Sequence, residues 1–149
     1  MILRFTTFLI AACAISTCAS GQNSLKKTVA NCPAPAATTV QQLYGDWRAE
    51  IDGQPGVARV QLQKEPTQDD SLVGSITRAG SQAKPALLAG DVQAGDFQLE
   101  ESDDGVRISA TWSGRVVDSS CGKEIKGLWT NALTDKTQPF TLRRTGGWQ

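Results

Sequence analysis

The sequence predicts an all-β protein: a single antiparallel, up-and-down β-barrel of about eight strands. Three observations predict it. From Tyr44 to Arg144, apolar residues alternate with polar ones. Turn clusters rich in Gly, Asp and Pro interrupt the alternation at spacings of about twelve residues. Nothing in this region carries the 3.6-residue period of a long helix. Closure is favoured over an open sandwich because sequential strands can close, and closure removes exposed edges.

The N-terminal stretch reads differently. Arg4 is followed by "FTTFLIAACAISTCA", which has no charge and is shorter than the ~20 apolar residues a membrane span needs. Small residues follow around Ala19 to Gly21. Residues 1–21 therefore read as an export signal or lipoprotein leader. Both "ISTC", ending at Cys18, and "IAAC", ending at Cys13, resemble a lipobox, and Cys18 is the candidate lipidation site. A free soluble form and a form anchored through Cys18 stay open. The polar, Pro- and Ala-bearing residues 22–42 read as a flexible tether. The barrel domain is expected over 43–145, with 146–149 as a C-terminal tail.

Each strand follows from its alternation. Trp47, Ala49 and Ile51 share one face, and "DGQPG" turns the chain. Val60 and Leu62 follow, then the turn "EPTQDDS". Leu72, Gly74 and Ile76 lead into the loop "RAGSQAKP". "ALLAGDV" is a weaker strand, and "QAGD" turns into Phe97 and Leu99. "SDDG" supplies hairpin dihedrals. Val106, Ile108, Ala110, Trp112, Gly114 and Val116 then predict one long inner face. "DSSCGK" places Cys121 at a hairpin tip. Ile125, Gly127 and Trp129 form the next inner face, and Phe140, Leu142 and Arg144 the last. Inward Gly74, Gly114 and Gly127 are expected to sit beneath Trp rings, since a bare backbone patch otherwise weakens a strand.

Whichever way the leader is processed, Cys32 and Cys121 remain. In an oxidising compartment such a pair is expected to form a disulfide. A zinc site would call for more thiolates or a His, and the sequence has no His.

The residues also carry a resemblance. "YGDW" is similar to the Gly-x-Trp opening of lipocalin-like and avidin-like barrels. "IKGLWTN" followed by "PFTLRR" resembles the closing strands of a bacterial family of small secreted lipocalin-like β-barrels. The resemblance spans roughly Leu43 to Thr145. It implies that Trp47 and Arg144 pack together and plug one end of the barrel; the shared parity of Phe140, Leu142 and Arg144 agrees. "SATWSG" also looks like part of an avidin strand. The other polar residues of a biotin site are missing from their places, so biotin binding is not expected.

Chemistry is argued mainly by exclusion. Without His there is no His-based triad and no imidazole ligand. Glu100 and Glu101 are adjacent on a strand and point to opposite faces. Asp69–Asp70 and Asp103–Asp104 fall in turns, where Asp caps backbone amides. No catalytic residue, metal or cofactor is expected. Fifteen basic residues balance fifteen acidic ones, and no basic aromatic-bearing patch suggests nucleic acid. The expected function is that of an exported, non-enzymatic binding module of the bacterial envelope, periplasmic, secreted or held at the outer membrane. It would bind a small apolar ligand or a protein partner. A periplasmic inhibitor and a structural envelope lipoprotein are the alternatives. Trp112, Trp129, Leu87 and Leu88 are the candidate ligand-binding residues, at the barrel end opposite the Trp47–Arg144 plug.

Overall fold

A computed structural model describes residues 32–146. The leader, with Cys13 and Cys18, and the tail residues from 147 onward lie outside the described residues. Eight strands form a closed barrel in which each pairs with its sequence neighbours and the last pairs with the first. They are β1 (Gly45–Ile51), β2 (Ala58–Lys64), β3 (Leu72–Thr77), β4 (Ala86–Gln93), β5 (Asp96–Ser102), β6 (Ala110–Val116), β7 (Glu124–Asn131) and β8 (Thr137–Arg144). All pairings are antiparallel.

The alternation in sequence becomes inside and outside. Trp47, Ala49 and Ile51 are buried while Asp46, Arg48 and Glu50 are exposed. The same holds for Phe97 and Leu99 against Gln98 and Glu100. The interior is filled at its centre, where Trp112 and Phe140 meet edge to face with ring centroids 4.9 Å apart. Edge-to-face rings are the favoured arrangement of two quadrupoles. Phe97, Leu62, Ile76, Ile125 and Leu142 are buried in the same core.

The up-and-down order sorts the connections. Residues 65–71, 94–95 and 117–123 lie at the end where β1 begins and β8 finishes. Residues 52–57, 78–85, 103–109 and 132–136 lie at the other end. The first end is closed by the chain that precedes β1. A 3-10 turn (Pro35–Ala37) and a single helical turn, α1 (Val40–Leu43), cross it, and Val40 and Leu43 are buried. Residues 32–42 are thus part of the folded unit, which corrects the expectation of a tether there. Val40 and Leu43 lie three positions apart, so a single helical turn puts both on one face, enough to cap a small barrel.

Two further expectations are corrected. Val106 and Ile108 do not extend β6; they are 87% and 45% exposed. The Asp104 carboxylate takes the backbone N–H groups of Val106 and Arg107, at 2.9 and 2.8 Å. A side chain that satisfies those amides removes the need for ladder partners. The inward glycines, for their part, face backbone rather than Trp rings. A Cβ on Gly74 would lie 2.1 Å from the Gln61 carbonyl oxygen, and one on Gly127 would lie 2.0 Å from that of Ser113. On Gly114 it would meet the Lys126 carbonyl oxygen at 2.7 Å and the Phe140 ring at 2.9 Å. Gly114 and Gly127 are direct cross-strand partners. Strands in a small barrel coil so tightly that neighbouring backbones crowd these positions.

Candidate functional site

The two ends differ in chemistry. At the closed end, Trp47 and Arg144 are cross-strand partners, and the guanidinium carbon stands 5.8 Å from the indole centroid. The Trp47 indole N–H donates to the Leu43 carbonyl at 2.8 Å. Arg144 donates to the carbonyl oxygens of Gln42 and Tyr44. Gly45 has φ 125°, and a Cβ there would come within 3.2 Å of the Arg144 Nη2. Gly is needed at this point of the Gly-x-Trp opening, both for its dihedral and for the guanidinium beside it. Cys32 and Cys121 are disulfide-bonded at the same end, with Cα atoms 4.7 Å apart. The bond ties the start of the described chain to the β6–β7 turn.

The open end carries a cavity of about 390 Å³. Its walls include Ile76, Arg78, Lys84, Glu101, Trp129 and Asn131. At its base lies Glu101, only 2% exposed. Its Oε2 accepts the indole N–H of Trp112 at 3.1 Å and of Trp129 at 3.2 Å. Arg78 closes a fork on the same carboxylate, with Nη1 at 2.7 Å from Oε1 and Nη2 at 3.1 Å from Oε2. The guanidinium also stands 6.0 Å from the Trp129 ring centroid. Its Nε donates to Gln54 Oε1 at 3.3 Å, and Gln54 in turn reaches Gln138 at 3.5 Å. Gln138 donates to the Asp52 carbonyl.

This network draws on most of the barrel: the β1–β2 turn, the end of β3, then β5, β6, β7 and β8. A buried carboxylate is tolerable only when paired and fully hydrogen-bonded. Here four N–H donors meet one carboxylate. The arrangement fixes Arg78 at the cavity wall, where its side chain remains 30% exposed.

The expected site residues separate. Trp129 is 7% exposed and lines the cavity. Trp112 is 1% exposed and belongs to the core, touching the site only through its N–H to Glu101. Leu88 points inward and is buried. Leu87 points outward and is 55% exposed, so the two leucines do not form one lip. Adjacent strand residues face opposite sides. Leu87 instead lies with Val106 and Ile108 along a groove on the outer rim. Leu133, 87% exposed, stands at the mouth itself.

Arg78, Glu101, Gln54, Gln138 and Asn131 were not anticipated as site residues. A signal existed for three of them. Glu101 continues the inward parity of Phe97 and Leu99, Arg78 that of Leu72, Gly74 and Ile76, and Gln138 that of Phe140 and Leu142. A charged residue at inward parity near a strand end marks a polar mouth. Among the described residues no group of three or more His, Cys, Asp or Glu is placed to hold a metal ion. None of the described helices is long and apolar enough to cross a membrane.

Compared with known proteins, the chain matches no family model and no curated protein. Among solved structures it is similar to a redesigned beta barrel at 19% identity. The match covers 77% of this chain and 99% of that one, with a TM-score of 0.48.

Proposed function

We propose that this protein is an exported, non-enzymatic binding module whose working surface is the open end of the barrel. The observation that carries the reading is the contrast between the ends. One is sealed by α1, Trp47 and Arg144; the other holds a concave, partly polar cavity above a rigid core. Its volume falls at the low end of small-molecule sites. The filled interior beneath Trp129 leaves no deep apolar chamber, so the ligand would have a polar part as well as an apolar one. The disulfide suits an oxidising compartment, and the apolar residues before Ala19 suit export. The lipocalin-like kinship rests on the Gly-x-Trp opening and the closing "IKGLW" and "PFTLRR" strands. The non-enzymatic reading rests on a sequence without His and on a buried Glu101 whose hydrogen-bonding capacity is largely used within the site.

A second reading is favoured by a separate observation. Leu87, Val106, Ile108 and Leu133 are exposed large apolar residues, and all four lie at the open end. Such a rim suits a protein partner. The test is native mass spectrometry of the protein purified from its own envelope, repeated with residues 81–84 and 133–136 exchanged for Gly-Ser turns. Loss of a retained ligand or partner in folded variants supports the open end. Full retention in both variants removes it, and turnover of a substrate by the purified protein would overturn the non-enzymatic reading. N-terminal analysis of the same material tests export: a mature chain still beginning at Met1 argues against it, and an acylated Cys18 selects the anchored form.

A further inference from the structure

The open-end cavity offers more hydrogen-bond donors than acceptors. Arg78 carries five N–H donors. Three are used inside the protein, one on Gln54 and two on Glu101, so two remain at the cavity wall. Asn131 Oδ1 accepts from the backbone N–H groups of Leu133 and Thr134 and from the Thr134 hydroxyl. Those bonds fix the amide orientation and leave its NH₂ group without a partner among the described residues. Lys84 adds an ammonium at the exposed rim. On the acceptor side, Glu101 is buried and its Oε2 already takes three bonds. Asp103 is the other carboxylate in the wall, and it is exposed.

We propose that this cavity binds a small organic carboxylate, with its charged group on Arg78 and Asn131 and its apolar body against Trp129, Leu133, Ala83 and Ala110. The proposal rests on the open end being the binding surface. Glu101 would not touch the ligand. It holds the guanidinium from the interior side, so little side-chain entropy is lost when a ligand arrives. A carboxylate oxygen can accept a single charge-assisted bond from one of the remaining guanidinium N–H groups, with the Asn131 NH₂ as a second donor. Glu101 and Asp103 disfavour a dianionic phosphate in the same place, because two like charges already border the site. The small and apolar walls at Ala83, Ala110 and Leu133 leave room for an aliphatic or aromatic body rather than a polyhydroxylated one.

The experiment titrates the oxidised, mature protein with hexanoate, hexanamide and hexylamine while following the indole N–H resonances of Trp129 and Trp112. Hexanoate should shift Trp129 saturably, and the amide and the amine should bind weaker by about tenfold or more. Arg78→Lys keeps the charge but loses the fork, and should weaken hexanoate about tenfold. Lys84→Glu sits on the exposed rim, leaves the fold intact, and should weaken hexanoate several-fold, less so in high salt. A dipeptide with a free C-terminus binding tighter than hexanoate, and its amidated form not binding, would place the carboxylate at a peptide end. Equal responses to hexanoate and hexanamide, or no response to hexanoate while the indole signals stay native, would overturn the inference. If hexanoate is silent yet loop exchange at 81–84 and 133–136 still abolishes retention, only the carboxylate assignment fails. If both tests are negative, the open-end reading fails with it.

Discussion

Trp112 and Trp129 face each other across the β6–β7 ladder and donate their indole N–H groups to one and the same oxygen, Oε2 of Glu101. A single buried carboxylate therefore satisfies two core aromatics and one arginine. Removing it would orphan both indole N–H groups and leave the guanidinium only its bond to Gln54 and its contact with solvent.

Glu101→Ala is accordingly expected to lower stability by about 3 kcal/mol, at the lower end for a broken buried pair because Arg78 keeps some solvent access. Glu101→Gln keeps an acceptor oxygen for an indole but loses the charge, and should cost about half as much. Urea denaturation at neutral pH measures both. An Ala variant within about 0.5 kcal/mol of the parent would contradict the network.

Arg144→Ala should cost about 1–2 kcal/mol, through the lost cation–π contact with Trp47 and the lost packing of its stem. Its donation to the Gln42 and Tyr44 carbonyls also ties α1 to β8. Amide exchange should therefore rise at Val40–Leu43 in this variant before it rises in the strands.

Cys32 and Cys121 should both resist alkylation in folded, unreduced protein. The bond spans 89 positions in sequence, and a loop of that size constrains the unfolded chain by roughly 4 kcal/mol in the entropic account. The double substitution Cys32→Ala with Cys121→Ser should show a loss of that order by denaturation. Alkylation of both thiols in folded protein taken unreduced from its native host would refute the pairing.

Gly127→Ala and Gly80→Ala make a controlled pair. A Cβ at Gly127 collides with the Ser113 carbonyl at 2.0 Å, and backbone does not move cheaply. Its cost should be about 3 kcal/mol or more. At Gly80 nothing lies within 4 Å, so only the φ of 72° opposes a side chain, at about 1 kcal/mol. Similar melting temperatures for the two would argue against tight strand coiling at Gly127.

Stability should decline in acid. Backbone N–H groups of Arg107 and Val106, with the Arg107 side chain, hold the Asp104 carboxyl well below the usual range. A hydrogen bond from Lys126, with the nearby Lys126 and Arg143 charges, lowers Glu124. A carboxyl with a lowered folded-state pKa contributes fully above its unfolded value and loses that contribution as pH falls through the folded one. The loss should set in as pH falls to the ordinary values of 3.8 for Asp and 4.5 for Glu, and should continue down through the lower folded-state values. Asp104→Asn should flatten the acid limb of stability against pH, and should raise amide exchange at Val106 and Arg107.

The sequence alone determined the strands, their inward faces and the closing pair. A side-chain period of two is local and survives in any register that buries one face, so Trp47, Phe97, Trp112 and Leu142 were legible as interior. Cysteine number and the expected oxidising compartment likewise pointed to Cys32 and Cys121. The tertiary structure alone decided what lies at the ends. Val106 and Ile108 kept strand parity in sequence but were released by the Asp104 turn. Val40 and Leu43 became a lid only because a barrel end stood open beneath them. Arg78 and Glu101 each carried inward parity, yet nothing local shows that β3 and β5 bring their ends together across the intervening β4. That meeting depends on barrel closure, which curves distant strands until side chains two strands apart share one small mouth.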